Sequence, residues 1–121
     1  MPPLPEMFRY FGWCTWNAFY RDVTDAGMTE KLAEFREKDL PVRWVLIDDG
    51  WSPTENDRLA GFGANPEKFP NGLRGFTARA KSEYGVDWVG VWHAFMGYWR
   101  GVSPDSAIAA QYRDHLTTLN S

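Results

Sequence analysis

Three observations predict an α/β fold with a parallel sheet. Apolar runs from about Tyr10 to Trp16, Arg43 to Asp48 and Asp87 to His93 each break abruptly into polar and aromatic residues. Their starts are separated by about 33 and 44 residues, and the stretches between them carry helical spacing of apolar side chains. Crossovers of that length imply parallel neighbours and right-handed connections. Parallel strands covered on both faces read as continuous apolar runs, and in α/β folds the chemistry gathers at their carboxyl ends. The order β-α-β-α-β-α, with Trp at each strand end, predicts the first three units of a (β/α)8 barrel. That barrel is incomplete, since a closed one needs roughly 200 residues or more. A small open three-stranded sheet is the structural alternative.

Residues 1–9 are proline-rich and read as a linker or entry segment, because proline fixes φ and supplies no backbone donor. Residues 10–121 then form the partial barrel. After the first strand, Thr24 can cap a helix from about Asp25 to Lys38, with Met28, Leu32 and Phe35 on one face; Pro41 ends it. The second strand leads into a long loop carrying Pro53, Gly61, Gly63, Pro66 and Pro70, a length that points to function. A second helix follows near Leu73 to Tyr84, with Leu73, Phe76 and Ala80 inward and Gly85 as its stop. After the third strand, a last helix near Pro104 to Leu119 carries Ile108, Tyr112, His115 and Leu119 along one side.

The chain has 121 residues, 44% of them hydrophobic, which suits one modest core. Its 13 basic and 16 acidic residues are mixed along the chain for a net charge of -3, so no field draws in phosphate backbones or anionic lipid, and nucleic acid and membranes are excluded as partners. No apolar run approaches the ~20 residues of a membrane span, and the start Met1-Pro2-Pro3-Leu4-Pro5 lacks the regions of a signal peptide, so a cytoplasmic location is expected. Cys14 is alone and lies in an apolar strand, where it reads as a buried, inert thiol. Seven Trp, eight Phe and five Tyr are more flat surface than this core needs, so some rings are expected to face a ligand.

The stretch Trp44-Val45-Leu46-Ile47-Asp48-Asp49-Gly50-Trp51 is the most informative. Successive strand side chains point to opposite faces, so Asp48 and Asp49 share a site only if the backbone turns, which Gly50 permits. As ionised carboxylates they accept hydrogen bonds from vicinal hydroxyls, while Trp13, Trp16, Trp51 or Trp92 covers the C–H face of a sugar ring. Against this stand a loop-staple role for the two acids and a core role for any single Trp. Trp44 and Trp88, at strand beginnings, read as packing residues. His93, at the third strand's end, is either a satisfied imidazole or a functional one. A metal site of Asp48, Asp49 and His93 lacks a second His, and no Gly-Lys-Ser/Thr loop accompanies the acids, so neither a metal nor another cofactor is expected. His115 reads as structural, and Lys31, Lys38, Lys68 and Lys81 as solvated charges.

Four segments in order, Phe11-Gly12-Trp13-Cys14-Thr15-Trp16-Asn17-Ala18-Phe19-Tyr20, Leu46-Ile47-Asp48-Asp49-Gly50-Trp51, Gly61-Phe62 with Phe69-Pro70-Asn71-Gly72-Leu73, and Val91-Trp92-His93-Ala94 with Gly97-Tyr98-Trp99, resemble the signature segments of glycoside hydrolase family 36. That is the α-galactosidase, raffinose synthase and seed-imbibition protein group. The resemblance implies a (β/α)8 barrel acting with retention on terminal α-linked galactose. It implies that Asp48 and Asp49 bind galactose hydroxyls, that Trp16 packs against the sugar, and that Trp92 lines the same pocket. Asn17 departs from the Asp that many plant members carry there, which leaves hydrolase and transferase both open.

Retaining chemistry needs a nucleophile and an acid/base about 5 Å apart, and the resemblance assigns both to strands beyond the third, the nucleophile in a Lys-x-Asp segment. No catalytic residue is therefore expected here, and the substrate-binding set is Asp48, Asp49, Trp16, Trp51, Trp92 and His93. The leading expectation is an α-galactosidase-like fragment, silent alone, that recognises galactose-containing oligosaccharides. The alternatives are a raffinose-synthase-like galactosyltransferase fragment, a non-catalytic galactose-binding module and a remnant without function. Saturable heat on titration with galactose belongs to the module. Open strand edges predict self-association or aggregation.

Overall fold

The computed structural model describes residues 3–116. Three strands, β1 (Gly12–Cys14), β2 (Trp44–Ile47) and β5 (Trp88–Val91), form a parallel sheet in the order β1-β2-β5. Gly12 lies opposite Trp44, and Trp44 opposite Trp88, so the strands are in step along the sheet. The fold class is α/β with a parallel sheet, as the spacing of the apolar runs predicts.

Local chemistry explains the helices. Thr24 sits in extended backbone and its Oγ1 accepts from the N–H of Gly27 at 3.0 Å, which starts α2 (Asp25–Glu37). Gly85, left-handed at φ 69°, stops α3 (Gly72–Tyr84) and returns its N–H to the carbonyl of Ala80. The two helices pack on one side of the sheet. Met28 and Leu32 of α2, Phe76 and Ala80 of α3, and Val45 and Ile47 of β2 make the main core with Val23, Trp51 and Phe69. Each fully buried side chain such as Phe76 or Ile47 contributes about 1.5–3 kcal/mol through removal from water. Arg79 of α3 ties the helices by donating to Asp25 at 2.8 Å.

Three elements differ from the sequence expectation. The first strand ends at Cys14, not Trp16, because Thr15 turns the chain: its N–H donates to Leu46, its Oγ1 accepts from Asp48, and Trp16 opens a short helix, α1 (Trp16–Phe19). The long loop after β2 contains a hairpin, β3 (Thr54–Glu55) and β4 (Arg58–Leu59), whose corner residues Asn56 and Asp57 both take positive φ. The last helix is shorter than expected: α4 spans Ala107–Tyr112, capped by Ser106, and gives way to a 3-10 turn at Arg113–His115. Tyr112 and His115 are exposed there, and Leu119 lies outside the described residues. α4 packs through Ile108 with Leu59 of the hairpin and Tyr98, a second small core.

Candidate functional site

The carboxyl ends of the three parallel strands meet at Asp48 and Asp49. Asp48 continues the face of β2 that carries Leu46, and reaches β1: the Cys14 thiol donates to its Oδ2 at 3.2 Å. Its own N–H donates to Thr15 Oγ1 at 2.9 Å, and its Oδ1 accepts from the N–H of Asp49 at 2.7 Å. Burial pushes the Cys14 thiol above its ordinary pKa, a backbone contact with Trp16 pulls it down, and the neighbouring Asp48 carboxylate raises it again.

Asp49 turns the other way and is 5% exposed. Its Oδ1 accepts from the Tyr98 hydroxyl at 2.7 Å, and its Oδ2 faces the Trp99 indole N–H and Arg21 Nε, each at 3.3 Å. Burial, then the hydrogen bond and charge of Asp49, hold the Tyr98 hydroxyl well above the usual tyrosine pKa, so it stays a donor. The turn between the acids and the rest of the loop depends on Gly50, at φ 113°; a Cβ there would stand 2.3 Å from the carbonyl oxygen of Arg21. Lys68 locks the same contact by donating to the carbonyls of Arg21 at 2.6 Å and Gly50 at 2.7 Å.

The aromatic residues divide sharply. Trp16 is 37% exposed and meets Tyr20 edge-on at 5.4 Å. Trp92 is half-buried between Tyr98 at 6.2 Å and Trp99 at 5.5 Å. Trp51 corrects an expectation: at 4% exposure it is a core ring with no open face, and its indole N–H donates to the carbonyl of Trp92 at 2.7 Å. Gly50 turns the chain immediately before it, which sends the ring inward. His93 is exposed, with Nδ1 donating to the adjacent Ala94 carbonyl at 2.9 Å and its ring 6.5 Å from Trp51. Its recorded contacts are therefore with Ala94 and Trp51 rather than with the acids. Among the described residues no group of three or more His, Cys, Asp or Glu side chains is placed to hold a metal ion.

Arg21, Tyr98, Trp99 and Lys68 belong to this site and were not identified from the sequence as its residues. Tyr98 and Trp99 lie in a motif that marks them; Arg21 carries no local signal. Lys68 is corrected from a solvated charge to a clamp on two carbonyls. Two open clefts of about 290 and 490 Å³ lie elsewhere, the first beside Phe35, Leu40 and Tyr84, the second beside Asp25, Asn71 and Arg79.

Carboxylates joined to indole rings thus gather at the carboxyl ends of parallel strands, the end at which α/β proteins build their sites. Similarity to known proteins narrows the class: the sequence matches the family described as raffinose synthase or seed imbibition protein Sip1 over residues 2–68 and 62–120, and the chain belongs to that family. It is 40% identical over 122 residues to a probable galactinol–sucrose galactosyltransferase 6 of Arabidopsis thaliana, covering 84% of this chain and 16% of that protein. It is 33% identical over 66 residues to α-galactosidase mel1 of Schizosaccharomyces pombe, covering 51% and 15%. Among solved structures, it is similar to the family 36 α-galactosidase AgaA of Geobacillus stearothermophilus, with 26% identity, TM-score 0.68, and coverage of 93% of this chain and 15% of that one. A double variant of that enzyme, solved in complex with raffinose, matches at 27% identity and TM-score 0.69 with the same coverage. The chain thus spans about one sixth of the curated relatives it matches.

Proposed function

We propose that the carboxyl ends of β1, β2 and β5 form the galactose-binding part of a site for terminal α-linked galactosides, in a chain folded as the first three units of a (β/α)8 barrel. The observation carrying this reading is the convergence of the three strand ends on the acid pair: Cys14 from β1 donates to Asp48, and the segment after β5 supplies Tyr98 and Trp99 to Asp49. Asp48 and Asp49 accept sugar hydroxyls, Trp16 and Trp92 offer faces to the C–H side of the ring, and His93 stands at the rim with Nε2 available. Trp51 acts from below by holding the Trp92 carbonyl.

Turnover by retention needs a free nucleophilic carboxylate and an acid/base about 5 Å apart. Both acids here are engaged by donors, so their role is binding, and the chain alone holds sugar without cleaving it. Asp48 is half-buried where Asp49 is buried, so Asp48 is the acid a sugar reaches more readily, and binding by this chain alone is the galactose-binding-module reading. Where turnover occurs, galactosyl transfer to a sugar acceptor is favoured over hydrolysis by the curated relatives, of which six at 32–40% identity are galactinol–sucrose galactosyltransferases, four of them named as probable.

Calorimetric titration of the chain with D-galactose tests the reading. Saturable heat that Asp48→Asn removes is expected, with no release of chromophore from an aryl α-galactoside. Absence of saturable heat in the folded wild type overturns it.

A further inference from the structure

Asp49 is 5% exposed and three donors already face its two oxygens, two of them on Oδ2, so a sugar hydroxyl that reaches Oδ2 competes with one of that pair. The donors are unequal. Tyr98 is 3% exposed and makes the short bond at 2.7 Å, and its N–H and carbonyl are both tied to Gly101, at 3.1 and 3.0 Å. Arg21 is charged, and Lys68 fixes its backbone against Gly50. Trp99 is 54% exposed, and its N–H, at the same 3.3 Å from Oδ2 as Arg21, is the neutral one of that pair.

The backbone isolates Trp99 as well. It occupies a corner of the tight turn closed by Tyr98 and Gly101, and the segment bends at Gly97, φ 100°, and Gly101, φ 87°. On one side Tyr98 is anchored in the small core; on the other, Arg100 donates its N–H to the Asp57 carbonyl at 2.7 Å. The indole can thus turn about its own side-chain bonds while both neighbours stay in place. Trp92, with its ring centre 5.5 Å away and tilted by 35°, gives it a surface to lean on.

We infer that Trp99 is a displaceable cap on Asp49: its indole N–H occupies the position of a ligand hydroxyl and swings away when a galactose hydroxyl donates to Oδ2, the ring then closing with Trp92 on the apolar side of the sugar. Tyr98 is the fixed positioning residue that keeps Oδ1 aimed. The inference rests on the galactose-binding reading and deepens it, because it assigns the same side chain opposite effects through its N–H and through its ring.

The test uses the full chain, D-galactose as probe, and three forms: wild type, Trp99→Phe and Trp99→Ala. Trp99→Phe removes the competing N–H but keeps a ring, and is expected to tighten galactose binding by roughly two- to tenfold, the range of one ordinary net hydrogen bond. Trp99→Ala loses the ring as well and is expected to bind more weakly than Trp99→Phe. In the wild type the Trp99 indole N–H resonance, assigned by its loss in Trp99→Phe, is expected to move saturably with galactose. Wild-type binding with Trp99→Phe no tighter, or with that resonance unmoved, overturns the cap and leaves the galactose site standing. Absence of saturable binding in both the wild type and Trp99→Phe, each shown folded by circular dichroism, overturns both.

Discussion

Replacing Tyr98 by Phe removes one oxygen from the centre of the site and nothing else. The ring stays in its cluster with Leu59 and Ile108, edge-on to Trp92 at 6.2 Å and under the Arg21 guanidinium at 5.8 Å. What is lost is a 2.7 Å donor to a carboxylate that is 5% exposed. Hydrogen bonds to charged groups contribute roughly 1.5–3 kcal/mol, and the stranded acceptor keeps its desolvation cost. Arg21 and Trp99 remain on the other oxygen, so the expected loss is about 2 kcal/mol, or roughly 6–10 °C in melting temperature for a chain of this size.

Urea and thermal unfolding at neutral pH measure this change. The pH dependence sharpens it. The folded-state pKa of Tyr98 is raised above its ordinary value of 10.0, so its contribution is complete below that pH and declines as pH rises beyond it. The gap between wild type and Tyr98→Phe therefore narrows in strong alkali. A loss below about 0.5 kcal/mol at neutral pH, or a gap that widens above the ordinary tyrosine range, would refute the assignment of this hydroxyl to Asp49.

Gly50→Ala places a methyl 2.3 Å from the Arg21 carbonyl at φ 113°, so a loss of at least about 2 kcal/mol in urea unfolding is expected, together with weaker galactose binding in calorimetry. The Cys14 thiol, raised in pKa chiefly by burial, should react with a disulfide reagent at mildly alkaline pH roughly tenfold or more slowly than in the urea-unfolded chain; equal rates would count against the Asp48 contact. Arg79→Met leaves Asp25, 4% exposed, with Thr29 as its side-chain donor and with an Oδ2 that has no partner, so a loss of roughly 2–3 kcal/mol is expected, partly recovered when Asp25→Asn is added. A double variant no more stable than Arg79→Met alone would show that the carboxylate charge is not the source of the loss.

Local signals made most of the scaffold legible. Thr24, Met28 and Leu32 give α2 because a cap and a three- and four-residue rhythm are contiguous in sequence, and Gly85 ends α3 by the same logic. The apolar run before Asp48 marks β2 and the start of the site. The hairpin escaped notice because its signal, Asn56-Asp57 at positive φ, is only two residues long and sits among other loop-forming residues. The donors around Asp49 escaped for a different reason: Arg21, Tyr98 and Trp99 arrive from 28 residues before and 49 and 50 residues after, and no pattern within one element predicts such a meeting. Trp51 misled because its position beside the acids suggests exposure, whereas the Gly50 turn puts it into the core.

The tryptophans divide between the two ends of the sheet. At the strand beginnings the rings are structural: Trp44 lies against Gly12, where a Cβ would stand 1.8 Å from the indole, donates its N–H to the Tyr10 carbonyl at 3.0 Å and meets Phe8 edge-on. Trp88 stacks on Tyr10 at 5.8 Å, and Arg43 covers the Tyr10 ring at 4.3 Å while pairing with Asp87. Phe8 and Tyr10 thus cover the amino-terminal end of the sheet. Rings fixed there leave the opposite end free to carry half-exposed indoles, because the register of the strands no longer depends on them. The spacing between Asp48 and the segment after β5 is set by the β2–β5 ladder, whose first rungs carry Trp44 and Trp88, each packed against the Phe8–Tyr10 segment. A substitution such as Trp88→Ala should therefore disturb sugar binding without touching the sugar, by loosening the ladder that brings Trp92 and Trp99 to the acids.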